Sequence, residues 1–371
     1  MQQMENNHLT YFKVENFKKF ESLEVNDIGQ FNLIVGDNNV GKTCLLEALL
    51  FDDNYLKMIA NYHQTLFLRG INFLPKKVNV KDIEFPKESY FSYISKDVLK
   101  PITIEYNNLK RNTLSIEYKS FNELNKKDLA LRKDNYQYEN LEHWLKFYKD
   151  SVFEELQFMY LDNLEPIDEY WPYLQFNIAY SNDIADYLRI LNKNRNEDDQ
   201  KINELSYNHK IELIKILNKI FNLKIIDYKT KYQGDNIMVS IATEDNHNYV
   251  AITQWGDGFN KIFRYIVEIM YVKEAGNDRI MIDEIDTGIH YSKLKKLWIN
   301  IISISKELNV QIFTTTHSQE CINSFFEASK ELNEKDIRLI RLQENRDKSI
   351  KAICYKEDYI EYVVESNTEE R

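Results

Sequence analysis

Hydrophobic and polar positions alternate at the start of the chain. Across residues 9–14, Tyr11 takes one face and Phe12 and Val14 the other, the period of a β-strand. Residues 31–35, Phe-Asn-Leu-Ile-Val, form a short apolar run that stops at Gly36, as a strand buried in a mostly parallel sheet would. From about Lys42 the spacing changes, and Leu45, Leu46, Ala48, Leu49 and Leu50 supply the broad apolar stripe of a helix. Strand character returns at 102–106 and 114–118.

Between about 121 and 223 the chain is rich in charge and aromatics. Helical spacing is read at 141–148, 184–191 and 211–221, with a polar loop at 193–201. Strands are expected again at 224–228, 236–241 and 249–252. A helix opens near Gln254 and runs to about Val272. Apolar strands at 279–283 and 310–314 follow, with helices at 293–308 and 319–332 around the second. Strands alternating with helices predict an α/β fold with a parallel sheet covered on its faces. No repeat and no long heptad run interrupts this order.

Composition narrows the classes. The 371 residues are 43% hydrophobic, and no apolar run reaches the length of a membrane span. The first residues, MQQMENNHLT, have neither the basic nor the apolar region of a secretory signal, so a cytoplasmic location without membrane contact is expected. Cys44, Cys321 and Cys354 lie far apart without a CxxC pair, against a disulfide framework or a cysteine zinc site. With 48 basic against 59 acidic residues the net charge is −11. Proteins that coat nucleic acid are normally basic, so nucleic acid is not demanded, although a local basic groove is compatible with this balance.

The chemistry lies in four short motifs. Gly36-Asp-Asn-Asn-Val-Gly-Lys-Thr43 matches the Walker A pattern in full, between an apolar strand and an apolar helix. Gly36 and Gly41 let the backbone turn its N–H groups, including those around Asn38, Asn39, Val40 and Cys44, toward the phosphates of ATP. Lys42 supplies a point charge to the β- and γ-phosphates, and the Thr43 hydroxyl a ligand for Mg2+. Ile280-Met-Ile-Asp283-Glu284 is a Walker B pattern: Asp283 is placed to hold Mg2+, and Glu284 to orient and polarise the attacking water. His317, within Thr314-Thr-Thr-His317-Ser318 after the next strand, is a candidate sensor of the γ-phosphate. Gln254-Trp-Gly256-Asp-Gly258-Phe259 opens a helix and makes an anion site at its N-terminus.

In this order, with Asp286 in Asp286-Thr-Gly-Ile-His290 as a D-loop, these motifs resemble the ABC-type ATPases, and within them the SMC and RecF heads. The start of the chain, Val14-Glu-Asn-Phe-Lys-Lys-Phe20 followed by residues 32–48, and Asp283-Glu-Ile-Asp-Thr-Gly-Ile-His290 are most similar to the OLD (overcoming lysogenization defect) family and its relatives in anti-phage systems. The resemblance implies an ABC-type P-loop head, a mixed and largely parallel sheet with flanking helices and an antiparallel β subdomain. Its two halves would be 1–120 and 224–371, around a mainly helical insertion at 121–223 that serves assembly or partner binding. It implies a homodimer or higher oligomer in which Gly256 and Gly258 face the partner's ATP and Asp286 sits at the contact. The usual Leu-Ser-Gly-Gly is replaced here by Gln254-Trp-Gly-Asp-Gly, without a serine hydroxyl. Gln64 and Arg69 are the Q-loop candidates.

OLD nucleases carry a C-terminal Toprim domain. The stretch after His317 is too short for one, so an effector nuclease is expected as a separate protein. The resulting expectation is an ATP-driven switch in anti-phage defence. A DNA-repair or chromosome-maintenance ATPase of the RecF or SMC type is an alternative, with Lys18, Lys19, Lys293, Lys295 and Lys296 as its candidate groove. So is an ATP-bound scaffold with little turnover.

Overall fold

A computed structural model describes residues 8–51, 53, 58, 61–62, 76–77, 83–84, 90–108, 110–120, 143–158, 178–180, 207–233, 236–274 and 278–360. In chain order these form β1 (Tyr11–Phe17), β2 (Phe20–Asn26), β3 (Phe31–Gly36), α1 (Lys42–Ala48), β4 (Lys76–Lys77), β5 (Ile83–Glu84), α2 (Tyr90–Ile94), β6 (Ile102–Asn107) and β7 (Arg111–Ser120). Then come β8 (His143–Lys149), β9 (Val152–Phe158), β10 (Ile178–Tyr180), α3 (Tyr207–Phe221), β11 (Ile225–Gln233), β12 (Asn236–Thr243), β13 (Val250–Ala251) and a 3-10 turn at Ile252–Trp255. The C-terminal part holds α4 (Asp257–Glu274), β14 (Arg279–Asp283), α5 (Tyr291–Leu308), β15 (Gln311–Thr315), α6 (Gln319–Leu332), β16 (Ile337–Glu344) and β17 (Ile350–Lys356).

Two six-stranded sheets organise the molecule. One is antiparallel, in the order β2-β1-β6-β7-β8-β9. The other runs β10-β14-β15-β3-β16-β17, parallel except for its last strand. Apolar residues alternate across the second sheet. Ile280, Ile282, Ile312, Leu33 and Leu339 join the core under α3, α4, α5 and α6, while Met281, Phe313, Ile34 and Ile340 join the core around α1 and the antiparallel sheet. Both faces are therefore buried, which is why these strands read as continuous apolar runs. The end of α1 is tied to β14 by Arg279, whose Nε donates to Leu49 O at 3.0 Å and whose guanidinium sits 4.3 Å from the Phe51 ring centroid.

The expected head fold is present, with the parallel sheet, its helices and the antiparallel subdomain. The helix expected at 141–148 is a strand, β8. Its buried Leu145 and Phe147 are two residues apart and fill the antiparallel sheet's core, so a period of two overrides the apparent helical spacing. The helix expected at 211–221 is α3, on the other core. Within 121–223 the described residues thus extend both sheets and the core of the head. Residues 184–191, the loop at 193–201, and Gln64 and Arg69 lie outside the described residues.

Candidate nucleotide site

The parallel register of the second sheet assembles the site. Ile282 pairs with Thr314 and Thr315 with Ile34, so the C-terminal ends of β14, β15 and β3 lie side by side. Ligands collect at such strand ends. After β3 the chain turns through Gly36 (φ 143°), Asn39 (φ 64°) and Gly41 (φ 109°) into α1. A Cβ on Gly36 would stand 2.4 Å from the Leu342 carbonyl oxygen, so glycine is required there both for φ and for space. Val40 is buried beside Gly36, while Asn38 is exposed and Cys44 half-buried. Asn39 accepts from Lys19 Nζ at its Oδ1 (2.6 Å) and at its carbonyl, which fastens the β1–β2 turn to the loop. Beneath it a buried Lys18–Glu47 ion pair of 2.7 Å joins the same turn to α1.

Lys42 folds back over this loop. Its Nζ donates to Gly36 O (2.8 Å) and Asp37 O (2.9 Å) and lies 3.4 Å from His317 Nδ1. Burial pulls the ammonium's pKa below its ordinary value, against the carboxylates of Asp283, Asp37 and Glu284. Thr43 Oγ1 donates to Asp283 Oδ2 at 2.9 Å, and Thr315 Oγ1 donates to Asp283 Oδ1 at 2.5 Å. Burial pushes the Asp283 carboxyl upward and the two hydroxyl bonds oppose this. Thr315 also accepts from the Glu284 N–H at 2.8 Å. Glu284 itself stands at φ 46°, a strained position for a non-glycine residue that turns the chain away from the strand.

Five candidates from the sequence, Lys42, Thr43, Asp283, Glu284 and His317, are therefore gathered at one sheet edge. Asp286 is held from below, with Thr316 Oγ1 donating to its Oδ1 at 2.6 Å. Thr315 and Thr316 were not singled out by the sequence reading. Their signal was the run of three threonines before His317. The glycine loop lies against the D-loop. A Cβ on Gly258 would meet Gly288 O at 3.0 Å, Lys261 Nζ donates to Thr287 O at 2.8 Å, and a Cβ on Gly256 (φ 90°) would meet nothing within 4 Å.

The donor set suits magnesium. Asp283 and Thr43 present adjacent hard oxygens, and among the described residues no group of three or more His, Cys, Asp or Glu forms a protein cage. Mg2+ is typically held in this way, by one or two protein oxygens completed by phosphate and water.

Comparison with known proteins agrees with this geometry. A family model described as "AAA ATPase domain" matches residues 133–322, just over half of the chain and including the glycine loop, Walker B and His317. A Helicobacter pylori protein named "ATP/GTP phosphatase" is 26% identical over 336 residues, covering 84% of this chain and 85% of that protein. Among solved structures, an Smc head bound to the C-terminal winged-helix domain of ScpA has a TM-score of 0.53 at 12% identity, covering 94% of this chain and 98% of that one. An Smc head with an extended coiled coil bound to the C-terminal domain of ScpA, derived from Pyrococcus furiosus, has a TM-score of 0.51 at 10% identity, covering 98% and 100%. The chain belongs to the AAA ATPase domain family and is an ATPase, and its fold is similar to that of Smc heads.

Proposed function

We propose that this ATPase is a magnesium-dependent molecular switch in which two heads close head to tail around ATP, and that the closed and open forms regulate a partner protein. The observation that carries this reading is the position of the glycine loop. It packs on the D-loop of its own chain, with Gly256 open on the side where a Cβ would point. A second head bound there completes a phosphate site that one chain leaves one-sided.

Within each head, Lys42 binds the β- and γ-phosphates, releasing the Gly36 and Asp37 carbonyls that hold it now. Asp283 and Thr43 would hold Mg2+, which would supply charge neutralisation for the phosphates. Glu284, kept in place by Thr287 Oγ1 (3.1 Å) and by its own N–H to Thr315, orients the attacking water. His317, next to Lys42, contacts the γ-phosphate. The motifs shared with the OLD family support a sensor or regulator in anti-phage defence, with a nuclease as effector. The aromatics from Phe153 to Phe176 in 121–223 support partner contact in that segment, because aromatics anchor interfaces. The name of the Helicobacter relative adds GTP as a second nucleotide to test.

The experiment is light scattering on Glu284→Gln, in which substrate accumulates unhydrolysed. With Mg2+ and ATP this variant is expected to double in mass, and Lys42→Ala treated alike is not. A Glu284→Gln protein that stays monomeric across saturating ATP overturns the paired-head reading. The missing serine of the glycine loop favours a second reading, a scaffold that holds ATP with little turnover. Steady-state hydrolysis by the wild type separates the two.

A further inference from the structure

Tyr265 lies on α4, the helix that begins at the glycine loop. It is fully buried in a core of isoleucines and phenylalanines, and among the described residues its hydroxyl has no hydrogen-bond partner. An orphaned hydroxyl in such a place costs stability that phenylalanine would not lose, so its presence asks for a state in which it is used. The helix face identifies the partner. Gly258, Lys261 and Tyr265 are spaced i, i+3, i+7 and share one face. The first two already meet the D-loop, Gly258 against Gly288 O and Lys261 through its bond to Thr287 O. Tyr265 comes next along that face. The D-loop's carboxylate on that side is Asp286, just before Thr287. Burial first, and then the charge of Asp286, hold the Tyr265 hydroxyl above its ordinary pKa, and among the described residues Thr316 donates to Asp286 Oδ1.

We infer that Tyr265 is a positioning residue whose hydroxyl donates to Asp286 when two heads close on ATP, so that the glycine-loop helix and the D-loop shift as one body. The inference rests on the paired-head reading. Closure presses the partner's nucleotide against the N-terminus of α4 and the partner head against Asp286. A bond between them, made only in the closed form, favours that form by its own free energy. It also carries the arrival of the second head to β14, where Asp283 and Glu284 stand.

The test is Tyr265→Phe, which removes one oxygen and keeps the ring. Its nucleotide-free melting temperature is expected to be unchanged or higher, and ATP binding by dilute monomer unchanged. Its kcat is expected to fall about tenfold, the scale of one lost bond to a charged group. In a Glu284→Gln background, ATP-driven pairing should need about a hundredfold more protein, because each closed pair loses two such bonds. A merely structural tyrosine gives the opposite signs, with melting lowered and kcat intact, and either result overturns the inference. If Glu284→Gln alone does not pair, the paired-head reading has failed whatever Tyr265 does. If it pairs and Tyr265→Phe changes neither pairing nor turnover, this inference alone has failed.

Discussion

At the scale of residues, the site concentrates charge before any nucleotide enters it. Lys42 stands among Asp37, Asp283 and Glu284, and burial works against the charged forms of both Lys42 and Asp283. Bound triphosphate with its metal supplies the missing counter-charges, so affinity is concentrated in few groups. Lys42→Ala removes the ammonium of the cradle and should weaken ATP binding by at least about a hundredfold, since charge-assisted bonds are the strong ones. Calorimetry checks this, and unchanged affinity would mean that the Walker A loop is not the phosphate site. Glu284→Gln keeps shape and N–H but loses the carboxylate. Binding should survive while turnover drops by about 10² to 10⁴, the usual contribution of such a group. Wild-type turnover in that variant would remove Glu284 from the chemistry.

At the scale of elements, the phosphate loop is held by contacts from outside it. Gly36 sits at φ 143° with the Leu342 carbonyl of β16 against the space a Cβ would fill. Gly36→Ala should therefore cost about 1–3 kcal/mol through strain alone and displace the loop. Denaturant unfolding measures the cost, and an unchanged midpoint would show that the loop relaxes freely. The Lys18–Glu47 pair, with side chains 8% and 0% exposed, fixes the β1–β2 turn to α1. Removing one carboxylate of a buried pair is costly because the remaining ammonium loses its main compensation in the interior. Glu47→Gln is expected to lose about 3–5 kcal/mol in the same measurement. A loss under 1 kcal/mol would show that water reaches Lys18.

At the scale of the whole molecule, the described residues within 121–223 are woven into the head. Among the described ones, β8 and β9 extend the antiparallel sheet, β10 edges the parallel sheet, and α3 places Leu213, Leu217 and Ile220 in the core. Deleting 121–223 behind a short Gly/Ser bridge should therefore abolish cooperative folding. Three fully buried aliphatic side chains at about 2–5 kcal/mol each rival the total stability of a domain. A sharp melting transition in the truncated protein would contradict this and restore a separable insertion.

What the sequence determined by itself was local. Walker A and Walker B are contiguous, and the physics that selects glycine, lysine and threonine at 36–43 acts within eight residues. The strands β3, β14 and β15 were legible because both faces are buried and leave unbroken apolar runs. The tertiary structure decided what depends on distant partners. Asp283 meets Thr43 across 240 positions of sequence, and Thr315 joins Asp283 to the Glu284 backbone only because β15 lies between β14 and β3. β8 is a strand because β7 offers it an edge, and no reading of 141–148 alone contains that edge. Tyr265 is unremarkable in sequence, an aromatic on an apolar helix face. Its burial, with no hydrogen-bond partner for its hydroxyl among the described residues, is a property of packing, which no short stretch of chain encodes.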